Sequence, residues 1–150
     1  MFATSVAYDI VFVVHILAAV ATIVVFIAMR LAALSVVRGA DSATQALRFP
    51  AHRNWAARLM HLLPITGLIM VASGGSSVSI THAWVIVGLV CYLAAAGHLE
   101  ARTLPEERLV ALAVARDGTA PRELGLKLLR SIDVLLAIIA VAFITMLIQY

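Results

Sequence analysis

Four ionisable side chains stand within or at the edge of long apolar stretches: His15, His61, His98 and Asp133. Such groups are costly in hydrocarbon, usually face the interior of a helix bundle, and count by default as candidate functional sites. Imidazole ligates haem iron and metal ions, so this set is open to cofactor binding, proton transfer, or plain hydrogen bonding between helices. No HxxxH or HExxH motif joins the histidines. Their meeting therefore depends on how helices pack. His15 shares a helical stripe with Ala18, Ala19 and Thr22, His98 shares one with Cys91, Ala94 and Ala95, and Asp133 shares one with Ala137 and Ala140. Small residues mark close helix approach, which puts these three on helix seams; His61 stands beside Pro64 and Leu68. Arg130 precedes Asp133 by one turn, which makes the two a candidate polar pair inside the membrane.

The elements that must position these groups are membrane helices. Of 150 residues, 63% are hydrophobic and 13% charged, a balance outside that of soluble domains. A span needs about 20 mostly apolar residues. The apolar runs predict one domain, residues 1–150, with four spans at about 8–30, 56–73, 83–102 and 128–148. The first is not a cleavable signal, since Asp9 and no cation flank it and it is too long for a signal core. All eleven Lys and Arg residues lie between Arg30 and Arg58 or between Arg102 and Arg130. Cytoplasmic loops collect such residues. The fold class is thus an all-α membrane protein: an antiparallel four-helix transmembrane bundle, both termini outside, with two basic cytoplasmic segments in a cell inner membrane. The pI near 9.6 reflects attraction to anionic lipid and calls for no nucleic acid. Cys91 alone excludes a disulfide framework and a Cys-based metal motif.

Helical rise converts sequence position into depth. At ~1.5 Å per residue, His61 and His98 lie roughly 6 Å inside the cytoplasmic boundary with Asp133 at about their level, while His15 lies roughly 12 Å below the outer boundary. Two readings of the His61, His98 and Asp133 layer compete. In one, the histidines are axial ligands of a haem b or join Asp133 around a metal ion. In the other, they bond across helices, Arg130 pairs with Asp133, and the layer only fixes packing. His15 is open to the same pair of readings. Local signals set the joints: breaks at Gly39 and Asp117-Gly118, Ser42 capping a short helix before Pro50, a kink at Pro64, and a capping box at Thr103-Leu-Pro-Glu106. The turn Gly74-Gly75-Ser76-Ser77 is uncharged and short, and His52 and His82 fall at interfaces.

Several short runs resemble a family of uncharacterised bacterial four-helix integral membrane proteins: Val14-His15-Ile16-Leu17, Leu63-Pro64-Ile65-Thr66-Gly67-Leu68, Ala83-Trp84-Val85-Ile86-Val87-Gly88 and Ile132-Asp133-Val134-Leu135-Leu136 followed by Met146. The likeness covers nearly the whole chain. The first half is also similar to the wider group of the membrane-bound protoporphyrinogen oxidase and the copper-resistance membrane domains, which place a histidine in helix one and an arginine at its inner end, as His15 and Arg30 stand here. That resemblance implies haem or porphyrin chemistry, although no Pro-Arg pairing follows helix one.

No catalytic motif is present, the outer turn is too small for a binding domain, and the basic segments are long enough to dock a partner. The leading expectation is a non-catalytic accessory or assembly subunit of a larger membrane complex, with lipid and other membrane subunits or further copies of itself as partners. The alternative is a b-type haem protein, or a haem- or porphyrin-linked redox enzyme, with His61, His98 and His15 as cofactor-binding residues. A proton or ion path through Asp133 and the histidines is a third expectation, although only His15 and Thr22 continue it outward.

Overall fold

The computed structural model describes residues 2–50, 54–73 and 80–148, with side chains from Val6 onward. His52 and the turn Gly74-Gly75-Ser76-Ser77 lie outside the described residues. Six α-helices follow in chain order: α1 (Phe2–Val37), α2 (Ser42–Arg48), α3 (Leu62–Ser73), α4 (Ala83–His98), α5 (Leu104–Asp117) and α6 (Arg122–Ile148). A 3₁₀ turn, Ala56–His61, leads into α3, and a π turn, Leu99–Thr103, joins α4 to α5. The described residues contain no strand.

Among the described residues, four helical runs are long and apolar enough to cross a membrane: Val6–Val37, Ala56–Ser73, Ala83–Asp117 and Arg122–Ile148. Their outward faces carry bare apolar side chains, among them Leu17, Val24, Leu93 and Val141, each more than half exposed. Patches of this extent on an isolated chain require an apolar surround. These are the helices of a multi-pass membrane protein.

The core sits toward the end of the bundle that carries the basic segments. On α1 the buried positions include Ala18, Thr22, Phe26, Met29, Ala33 and Val36. Their spacings of three and four make one face of a helix. Leu128, Ile132 and Leu135 of α6, each 0% exposed, form the corresponding face on that helix. Along this seam Val36 meets Gly125, and a Cβ on Gly125 would lie 2.8 Å from Val36 Cγ1. The missing side chain is what lets the two backbones close. Along the seam of α4 and α6, Gly88 meets the end of Met146 and His98 meets Ser131.

Chain breaks fall where backbone chemistry asks for them. Gly39 takes φ +70°, and Ala40 N–H donates to Ser35 O while Gly39 N–H donates to Val36 O. This is the Schellman ending, in which glycine adopts the left-handed conformation at no steric cost. Gly118, at φ +79°, ends α5 in the same region. The cap of α2 is Asp41, not Ser42: its Oδ1 accepts from Thr44 N–H at 2.8 Å.

Two other joints have their own backbone geometry. Pro64 falls in the first turn of α3, where a missing N–H is tolerated, and the chain changes from 3₁₀ to α geometry just before it. Thr103 does not cap a new helix. It keeps helical angles (φ −63°, ψ −49°) inside the π turn, and Leu104 N–H donates to Leu99 O. One extra residue per turn widens the ladder just ahead of Pro105, which cannot donate. The run from Ala83 to Asp117 is therefore continuous.

The basic segments fold onto one another. Gln45, 2% exposed, donates to Ala40 O and accepts from Ala120 N–H, so α2 is tied to the entrance of α6. Asn54 donates to Glu107 Oε1 at 2.7 Å, and Arg48 donates to Leu31 O at 2.8 Å.

Candidate functional site: the polar groups near the basic end

His15, His61, His98 and Asp133 are each engaged by a neighbouring element. His15 Nδ1 lies 2.7 Å from Thr66 Oγ1. The Thr66 hydroxyl also lies 2.8 and 3.1 Å from the Leu62 and Leu63 carbonyls, so it bridges His15 to the first turn of α3. This contact joins α1 to α3, apart from the other histidines, as the depth reading expects.

His61 Nδ1 is 2.9 Å from the Tyr92 hydroxyl, with the two rings nearly perpendicular. Its Nε2 lies 3.7 Å from Glu100 Oε1. Glu100 is itself held by Arg58 through two bonds, at 2.7 and 2.8 Å. A paired fork of this kind fixes orientation as well as energy. The Arg58 guanidinium stands 5.1 Å from the Trp55 ring centre, within cation–π range. One connected set, Trp55, Arg58, Glu100, His61 and Tyr92, thus ties the 3₁₀ turn to α4 and the π turn.

His98 belongs to a separate set. Its Nε2 is 3.0 Å from both the carbonyl and the hydroxyl of Ser131, and Ser131 Oγ is 2.9 Å from Thr103 Oγ1. A protonated Nε2 donates to the carbonyl and a bare one accepts from the hydroxyl, so either tautomer of His98 is held by Ser131. Thr103 is fully buried and Ser131 nearly so; their hydroxyls satisfy each other at the point where the π turn meets α6.

Asp133 pairs with Arg30 of α1, whose Nε donates to Oδ1 at 2.6 Å. The expected partner, Arg130, instead lines a cleft with His98 and Lys127. One turn of separation on a single helix brings Arg130 near in sequence. The Arg30 side chain comes from the facing helix and reaches the carboxylate.

The structure brings His61, His98 and Asp133 to the same end of the bundle but to different seams. Tyr92 and His98 lie six residues apart on α4, about 240° around the helix; His61 meets the first face, and α6 meets the second. A bis-histidine haem needs two bare ring nitrogens facing one iron. Here His98 Nε2 is bonded to Ser131 of α6, and His61 lies between Tyr92 and Glu100 on another face of α4. The arrangement does not fit an axial pair. Among the described residues, no three His, Cys, Asp or Glu side chains group as a metal site.

A cleft of about 1170 Å³ lies between the C-terminal half of α1, the α2 exit and α5. Met29, Phe49 and Leu104 supply apolar wall, while Arg58, Glu100 and Arg108 supply charge. Leu47 (84% exposed), Trp55 (65%) and Leu112 (56%) stand at its margin. The residues that sequence reasoning missed are Arg30 as an ion-pair partner, Thr66, Tyr92, Glu100, Ser131 and Thr103. Glu100 carries the one available signal, as the only acidic residue at the end of an apolar run that holds Tyr92 and His98.

Comparison of the chain with protein-family models, curated proteins and solved structures finds no match.

Proposed function

We propose that this chain is a non-catalytic accessory or assembly subunit of a larger membrane complex. In this reading it is an antiparallel four-helix bundle in the cytoplasmic membrane, with both termini outside and the basic end in the cytoplasm. The order of seam contacts supports the antiparallel arrangement: Val36 with Gly125 and Arg30 with Asp133, then Gly88 with Met146 and His98 with Ser131. The distribution of Lys and Arg supports the orientation.

The observation that carries the functional reading is the large cleft at the basic end, bordered by exposed Leu47, Trp55 and Leu112. Exposed apolar side chains outside the hydrocarbon mark interaction surfaces. The polar set of Trp55, Arg58 and Glu100 holds one side of this cleft rigid, and a preordered surface costs less to bind. The histidines serve as cross-helix bonds that keep the platform in shape.

Photocrosslinking in native membranes tests it, with the photoreactive residue placed at position 47 or 112. A discrete adduct to a second membrane protein, or to another copy of this chain, is expected at both positions. Adducts to lipid alone at both would refute the docking role.

A further inference from the structure

A second cleft, of about 390 Å³, opens between α6 and the run from α4 through the π turn to α5. His98, Arg102 and Glu106 line one wall at successive turns; Lys127, Arg130 and Val134 line the other. The bond from His98 to Ser131 closes its floor. Among the described residues Arg102, Lys127 and Arg130 have no carboxylate or carbonyl partner, whereas Arg30, Arg48 and Arg58 at the same end have one. Three positive charges thus face one negative charge. Glu106 Oε2 is buried and has no donor, and an acceptor left in that state is destabilising unless a ligand supplies one.

We propose that this cleft holds the headgroup of an anionic phospholipid, its phosphate between Arg102, Lys127 and Arg130 and a headgroup hydroxyl toward Glu106. Basic pockets between membrane helices suit phosphate headgroups, and arginine matches phosphate oxygens in pairs. The lipid source follows from what lies below the cations. Val134, Val141 and Ile148 are 47%, 54% and 77% exposed, and their spacing of seven aligns them on one face of α6. An acyl chain has an apolar track leading directly from the headgroup site. With three cations facing one carboxylate the cleft is net positive, which favours a headgroup of net negative charge such as phosphatidylglycerol over a zwitterionic one.

The test is titration of the full chain in nonionic detergent with short-chain phosphatidylglycerol, using phosphatidylcholine and inorganic phosphate as comparison ligands. Each basic residue near a membrane surface contributes about 1 kcal/mol of attraction to anionic lipid, which is about fivefold in affinity. Arg130→Gln is expected to weaken phosphatidylglycerol binding about fivefold, and Lys127→Gln with Arg130→Gln about 25-fold. Arg38→Gln, a cation of the same end outside the cleft, is expected to leave it unchanged. These side chains are exposed, so an unchanged melting curve shows that each variant is folded. Wild-type binding by the double variant would overturn the proposal, as would equal weakening by Arg38→Gln. Inorganic phosphate binding as tightly as the lipid would reduce the cleft to an anion site and overturn the lipid assignment.

Discussion

Replacing Asp133 with Asn removes the charge that holds Arg30 against α6, and the size of the loss follows from the geometry of the pair. The contact is one bond of 2.6 Å, from Nε to Oδ1. Two unit charges about 4 Å apart attract by ~1 kcal/mol in water and ~4 kcal/mol at a surface-like dielectric. The side chains are 40% and 46% exposed, so screening and side-chain ordering remove much of this. A coupling energy of about 1–2 kcal/mol remains. Each single variant, Arg30→Gln or Asp133→Asn, should lose about 2 kcal/mol, below the ~3–5 kcal/mol of breaking a fully buried pair. The double variant should lose less than the sum. Reversible unfolding in mixed detergent, carried out on all four proteins, measures the cycle. A parallel cycle with Arg130→Gln should show coupling below about 0.5 kcal/mol, the level expected of independent sites. Additive losses for Arg30 and Asp133, or coupling that appears with Arg130 instead, would refute the assignment of the pair.

Two further outcomes follow from the joints of the fold. Gly125→Ala puts a methyl group within 3 Å of Val36, and overpacking of this kind should cost about 1–3 kcal/mol in the same unfolding assay; Val36→Ala combined with it should recover part of the loss. Asp41 is held below the usual carboxylate range, first by the Thr44 N–H and then by the Thr44 hydroxyl. Its depressed folded value means the cap is fully present above the unfolded pKa of about 4 and is lost as pH falls through the folded value. The protection factor of the Thr44 amide, its exchange rate relative to that of an unstructured chain at the same pH, should therefore be flat from neutral pH down to about 5 and fall below about 4, and Asp41→Asn should abolish that step.

The parts legible in the sequence are those that depend on one coordinate along the chain. Apolar run length and the two blocks of Lys and Arg mark the four crossing helices, and Gly39 and Gly118 stop helices where only glycine adopts the required angles cheaply. Helical rise also places His61, His98 and Asp133 at one end of the bundle. What rise leaves open is azimuth. His61 and His98 share a level yet face different neighbours, because Tyr92 and Ser131 lie on different seams of α4. Asp133 has a cation one turn away on its own helix, but its partner comes from α1, and only packing decides that. Thr103 looks like a cap because of the glutamate three residues later; the π turn keeps the chain helical there and gives the hydroxyl to Ser131 instead.

The account stands on the histidines being bonds between helices. The absorption spectrum of the protein purified from its own membranes tests that claim most directly. With His98 Nε2 bound to Ser131 and His61 held between Tyr92 and Glu100, the account predicts no Soret band, and the same featureless visible spectrum in His61→Ala and His98→Ala. A Soret band in the wild-type protein that disappears in either variant would contradict it.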